Sequence, residues 1–542
     1  MPADMELALG PIADAVESRL MVWESEGMAR RIWAKDPTVW AETDLPELTD
    51  RLGWLGLPDE MAGVVSGLRG FASDLADEGI RSVVLLGMGG SSLAPEVFQS
   101  TFRNAECFPE LIVLDSTHPG AVQAVDARID LAHTLFVVAS KSGTTLETLS
   151  FFRYFWHRLT QQGLAQGEHF VALTDPGSAL EDLAAERDFR RVFATPPEVG
   201  GRYSALTYFG LVPAALIGAD IEAMLASAAA AAAAGRHPAG ENPGLLLGAA
   251  WGEAALAGRD KLTVITSASL AAFPNWLEQL IAESTGKDGT GIVPIAGEDL
   301  AEPGAYGDDR LFLSYQLESD GEPFDALDSL VAAGHPVIRI LLSAPEGIGG
   351  AMFTAEMATA AAGAVLGIHP FNQPDVQVAK ELARQAMAGE LGGGGPIESV
   401  PPTDATRLAG WVADLPENGY IGICAYIPMT VDAIELLQGL RHHLRHLTGA
   451  ATTVGFGPRF LHSTGQLHKG GPGALFLQLV DDPTPDVAVP ETDFSFGKLV
   501  VGQAEGDYRA LESRRQRVLR VQLGAEWAAG LDTLLDSVSS LD

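Results

Sequence analysis

The chain has 542 residues, enough for two or three domains, and is 47% hydrophobic and 20% charged, as globular enzymes are. Lys and Arg total 35 against 71 Asp and Glu, a net charge of −36. That balance argues against nucleic acid or a membrane surface as partner, and an anionic substrate would need a local positive pocket. Cys107 and Cys424 are the only cysteines, too few for a disulfide framework or a cysteine zinc site. The acidic start is wrong for a signal peptide and no apolar run approaches membrane-spanning length, so a cytoplasmic protein is expected.

Residues 1–75 read as an N-terminal helical segment without chemistry, in which Trp23, Trp33, Trp40 and Trp54 pack onto the units C-terminal to it. From Arg81, short apolar strands at 83–86, 111–114, 135–138, 170–173 and 192–194 alternate with helices. This α/β pattern predicts a doubly wound parallel sheet over residues 76–238, with ligands beyond the carboxyl ends of its strands.

Three turns at those ends carry candidate chemistry. The first strand runs into Gly87-Met88-Gly89-Gly90-Ser91-Ser92. It is similar to a dinucleotide fingerprint, but Ser92 replaces the third glycine; a wall of backbone and hydroxyl groups, with Ser91 facing an anion, fits better. The third strand runs into Ser140-Lys141-Ser142-Gly143-Thr144-Thr145, followed by a helix with Leu149, Phe152, Phe155 and Trp156 on one stripe. Four hydroxyls, a lysine and free N–H groups at a positive helix end suit a phosphate monoester. Ordinary N-capping is the plainer alternative, and a nucleotide loop is disfavoured because the Gly-x4-Gly-Lys-Ser/Thr order is absent. After the last strand, Gly200-Gly201-Arg202-Tyr203-Ser204 suits a guanidinium turned into a cleft, unless Arg202 pairs on the surface with Glu198 or Asp182.

A helix at 221–235, containing the run Ala228 to Ala234, leads to a boundary at 240–243. A second α/β unit over 239–390 has strands at 262–265, 312–315 and 337–342. Its helix at 274–285 sets Gln279 and Glu283 four apart on one face. An acid in the last turn opposes the helix dipole, which favours a functional Glu283 over a solvated one. Phe371-Asn372-Gln373-Pro374 opens a further helix, with Lys380 two turns beyond Gln373 on the same face. Residues 389–403 read as a flexible linker. A C-terminal α/β region over 404–542 has a strand at 419–427, a helix at 431–447 and a strand at 474–480. His442 and His446, beside Arg441 and Arg445, read as a solvated basic face; His462, His468 and Lys469 stand in a polar loop over 462–471.

In chain order these motifs resemble the glucose-6-phosphate isomerase family. Its phosphate loop is similar to 140–145 with Glu147 beyond, its glycine turn to 87–91, and its Gly-Gly-Arg-Tyr-Ser segment to 200–204. Its Gln-x3-Glu helix matches Gln279 and Glu283, and its Phe-x-Gln-x6-Lys helix matches Phe371, Gln373 and Lys380. The resemblance implies two sugar-isomerase (SIS) domains sharing one cleft, and conversion between glucose 6-phosphate and fructose 6-phosphate in glycolysis and gluconeogenesis. It gives Glu283 the role of base and Arg202 that of stabilising the enediolate. Gly90, Ser91, Ser140, Lys141, Ser142 and Thr145 would hold the phosphate, while Gln279 and Gln373 orient hydroxyls. No metal or cofactor is called for.

One feature departs from the family. Its ring-opening histidine, often supplied by a partner subunit, has no counterpart between Glu283 and His335, where Asp308-Asp309-Arg310 stands. The stretch 461–466 is similar to the sequence around that histidine, so His462 is expected to replace it and to assist ring opening with Lys380. A homodimer stays open. The third region also resembles the tail of the isomerase half in fused transaldolase–glucose-6-phosphate isomerases. The alternatives are an isomerase for a related sugar phosphate such as mannose 6-phosphate, or a non-catalytic sugar-phosphate-binding module.

Overall fold

The computed structural model describes residues 4–321, 325–375, 381–382, 384–385, 387 and 397–541. It opens with β1 (Asp4–Ala8), which corrects the expectation of an all-helical start. Met, Glu, Leu and Ala favour helix locally, but antiparallel pairing with a strand of the second unit, Met5 opposite Ile340, overrides that preference. Helices then carry the tryptophans inward. Trp54 stacks on Tyr203 and meets Phe353, while the Trp40 and Trp33 indoles donate to the carbonyls of Ala360 and Gly235 at 2.7 and 2.9 Å.

The first sheet contains β2 (Ser82–Leu86), β3 (Glu110–Leu114), β4 (Thr134–Ala139), β5 (Phe170–Thr174) and β6 (Arg191–Ala194), all parallel, in the order β3-β2-β4-β5-β6. The second contains β7 (Lys261–Thr266), β8 (Val293–Ile295), β9 (Arg310–Leu317) and β10 (Val337–Leu342), parallel in the order β10-β9-β7-β8, with β1 on its edge. The third contains β11 (Tyr420–Tyr426), β12 (Ala451–Phe456), β13 (Ala474–Asp481) and β14 (Arg517–Gly524), parallel in the order β12-β11-β13-β14.

Each sheet winds alike: its first parallel strand is central, the second lies to one side and the third to the other. The chain reverses direction across the sheet beside that first strand, opening a crevice at its carboxyl end. In the first sheet this places the turns after β2 and β4 side by side. Because helices cover both faces, the central strands are largely apolar; every residue of β4 and β5 is buried. The strands β8, β12 and β14 escape sequence reading because one is three residues long and the others are interrupted by Thr or Arg.

One apolar core runs from Ile12 through both of the first two units to Phe371. The third region has its own core, and two further clusters fasten it: Phe496 and Val489 pack against the first unit, and Tyr426 and Leu467 against Ala282, Val293 and Ile295 of the second. Among the described residues one helix, Pro345–Leu366, is long and apolar enough to cross a membrane, and it is buried in the protein core.

The docked third region corrects two expectations. His442 and His446 are exposed, but Arg441 and Arg445 are buried. Arg441 donates to Thr452 Oγ1 (3.0 Å) and to the carbonyls of Thr452 and Ala296 (2.6 and 2.8 Å), while Arg445 donates to the Asp299 carbonyl at 3.1 Å. The supposed polar loop is a short turn, Arg459–His462, and a helix, Gly465–Gly470; Gln466, His468 and Lys469 are buried at the seam with the second unit.

Candidate active site

The site forms where four segments press on the glycine turn after β2. Gly89 adopts φ +56°, and a Cβ there would lie 2.6 Å from the His462 carbonyl oxygen and 2.9 Å from Gln279 Nε2. A Cβ on Gly90 would stand 2.0 Å from the Gly201 carbonyl oxygen. Glycine is therefore required sterically at both positions: the turn is sandwiched between the Arg202 segment on one side and Gln279 with His462 on the other.

Arg202 is turned inward and 3% exposed, so the surface pairing with Glu198 or Asp182 does not occur. Its Nε donates to Ser284 Oγ at 2.7 Å, and its Nη2 donates to the carbonyls of Pro370 and Asn372 at 2.7 and 3.1 Å. The remaining nitrogen, Nη1, lies 3.6 Å from Glu283 Oε2. Glu283 is 6% exposed, near the end of helix Phe273–Thr285. Gln279, one turn earlier, donates to the His462 carbonyl at 2.7 Å and reaches Glu283 at 3.4 Å. Lys287 is buried nearby, donating to the His369 carbonyl at 2.5 Å. Burial, reinforced by the Arg202 guanidinium, holds the Lys287 ammonium well below its usual range.

His462 links this half of the site to the turn after β4. Its Nε2 stands 2.9 Å from Oε1 of Glu147, in the first turn of helix Leu146–Gln162. Thr145 occupies the N-cap of that helix but makes no side-chain capping bond. Its hydroxyl instead pairs with Ser140 Oγ at 2.9 Å, Ser142 pairs with Thr144 at 2.9 Å, and the Gly143 N–H donates to Ser140 at 3.1 Å. Helix N–H groups thus stay available to an anion, which ordinary capping would have consumed. Gly143 has φ +71°, and a Cβ there would meet the Leu180 nitrogen at 2.2 Å.

Two of the expected phosphate ligands are placed less directly. Lys141 donates to Asp175 at 2.5 Å and to the Pro197 carbonyl at 3.2 Å, and Ser142 is exposed. Ser91 is half-buried in the glycine turn. Gln373 is exposed, although its neighbour Asn372 contacts Arg202. Lys380 lies outside the described residues.

A sequence model of the phosphoglucose isomerase family matches residues 63–298. A probable glucose-6-phosphate isomerase of Natronomonas pharaonis is 32% identical over 367 residues, spanning 60% of this chain and 82% of its own. The chain belongs to the phosphoglucose isomerase family. A Staphylococcus aureus glucose-6-phosphate isomerase is 30% identical, spanning 61% of this chain and 86% of its own. Among solved structures, a Chlamydia trachomatis glucose-6-phosphate isomerase shares the fold at TM-score 0.61 and 22% identity, covering 72% of this chain and 89% of its own. A hypothetical protein of Thermus thermophilus aligns with TM-score 0.63 and 26% identity, covering 71% of this chain and 100% of its own.

In this phosphoglucose isomerase family member, two contacts of the candidate site went unread in the sequence. In sequence Glu147 stands out only as the residue beyond the phosphate loop, yet its carboxylate accepts from Gln503 Nε2 at 2.7 Å as well as facing His462. Gln503 sits in helix Phe496–Ser513 of the third region and carries no local signal of a role.

Proposed function

We propose that the protein interconverts glucose 6-phosphate and fructose 6-phosphate by moving one proton between C2 and C1, with Glu283 as the base. The observation carrying this reading is the buried pair in which a single Arg202 nitrogen faces Glu283 while the other guanidinium nitrogens are tied to Ser284, Pro370 and Asn372.

The phosphate docks on the turn after β4, where Ser140, Thr145 and the helix N–H groups donate, and Ser91 closes the adjacent wall. Ring opening breaks the C1–O5 bond. O5 keeps the electron pair and takes a proton from His462, while the O1 proton passes to Lys380, the role the family resemblance gives it. Glu147, 2.9 Å from His462 Nε2, holds the ring in place for that donation. Glu283 then takes the C2 proton, and the charge spreading over O1 and O2 of the enediolate lies against Arg202. Returning the proton to C1 gives the ketose. Gln279 Oε1 has no partner among the described residues, which supports its accepting a sugar hydroxyl.

Glu283→Gln keeps the shape and removes the base. Sugar-phosphate binding is expected to persist while exchange of the C2 hydrogen with solvent falls by about 10²–10⁴. Exchange at the wild-type rate would refute the assignment.

A further inference from the structure

We infer that Gln503, in the third region, is a positioning residue for ring opening: it holds the Glu147 carboxylate in the geometry that lets His462 act on the sugar ring. The inference rests on the proposed role of His462. Gln503 is 4% exposed and held from both ends of its amide. Thr117 Oγ1, in the turn after β3, donates to Gln503 Oε1 at 2.7 Å, so Nε2 is the end presented to Glu147, again at 2.7 Å. Thr117 is itself fully buried.

The helix that carries Gln503 is anchored independently of this contact. Phe496, two turns before Gln503 and so on the same face, stacks on Phe151 with ring centroids 5.9 Å apart. Phe151 in turn lies one turn beyond Glu147 on its own helix. The two helices meet through an aromatic pair at one level and through Gln503 and Glu147 at the next. His118, beside Thr117, pairs with Asp481 of the third region at 3.0 Å, adding a second polar clasp. Docking strength is thus supplied elsewhere, and the amide bond to Glu147 has a separate consequence.

That consequence follows from the shared oxygen. Gln503 Nε2 and His462 Nε2 both reach Oε1 of Glu147. Because Oε1 accepts from the Gln503 amide it stands as an acceptor, so the His462 nitrogen facing the same oxygen is the one that donates. Nδ1 is then the working nitrogen, and among the described residues it has no hydrogen-bond partner. The imidazole is fixed in tautomer by Glu147, and Glu147 is fixed in rotamer by Gln503.

The test is a double-mutant cycle. Gln503→Met keeps the volume and removes the donor; it is expected to lower kcat for cyclic glucose 6-phosphate about tenfold with KM little changed. Binding of an acyclic polyol phosphate, which needs no ring opening, should not change. In a His462→Asn background the same substitution should cost nothing further. Thr117→Val, which frees the amide to rotate, should reproduce part of the loss. If His462→Asn leaves turnover intact, the role of His462 falls. If His462→Asn is impaired but Gln503→Met is neutral, or its cost simply adds in the double variant, His462 stands and the role of Gln503 falls.

Discussion

Glu278 precedes Gln279 on the helix that carries Glu283 and is only 8% exposed. It lines a cavity of about 440 Å³ where the first two units meet the third region, together with Glu96, Arg441, Arg459 and Ser463. Its carboxyl makes no hydrogen bond or ion pair among the described residues; burial, only partly offset by Arg441 and Arg459, pushes its pKa from 4.5 to about 8. The native state therefore holds this proton more tightly than the unfolded chain does. The stabilising effect is complete below 4.5 and is lost as pH rises to about 8, at ~1.4 kcal/mol per pH unit and no more than ~5 kcal/mol in all. Glu278→Gln preserves the shape with nothing to titrate. Its stability advantage over the wild type, measured by urea denaturation at about pH 5, 6 and 7, should grow by ~1.4 kcal/mol at each step and level off above about 8. A carboxylic-acid infrared band should titrate over the same range and be absent from the variant. An advantage that stays constant with pH would refute the reasoning.

Two further outcomes are expected. Gly90→Ala sets a Cβ 2.0 Å from the Gly201 carbonyl oxygen, backbone against backbone, so the turn and the Arg202 segment must separate. It should lower kcat at least about tenfold while inorganic phosphate still competes, and a wild-type kcat would show that this contact does not align Arg202. Because His462 reaches Glu147 and Gln279 within one chain, activity per chain should stay constant on dilution from micromolar to nanomolar protein. A fall that returns on concentration would show that the site needs a partner.

The local halves of the site were legible because strand, turn and helix are neighbours in sequence. The Ser140 turn, the glycine turn, the Arg202 segment and the Gln279–Glu283 helix each declare themselves through residue type and spacing. The parallel sheets follow for the same reason, since alternating apolar strands and helices leave few ways to bury both faces. Solvation was less legible. Arg441 and Arg445 look like surface charges until the carbonyls of Ala296 and Asp299 appear opposite them, and Lys141 looks free until Asp175 is folded beside it.

By itself, then, the amino-acid order determined the chemistry on offer: hydroxyls and N–H groups for an anion, a guanidinium, and a carboxylate in an unfavourable last turn. Tertiary structure alone decided which groups meet. Gly89 admits the His462 backbone because it lacks a side chain, and docking of the third region brings Gln503 and His462 to one oxygen of Glu147. Periodicity and capping act over a few residues, whereas these contacts join segments hundreds of positions apart through packing and desolvation, which no local pattern encodes.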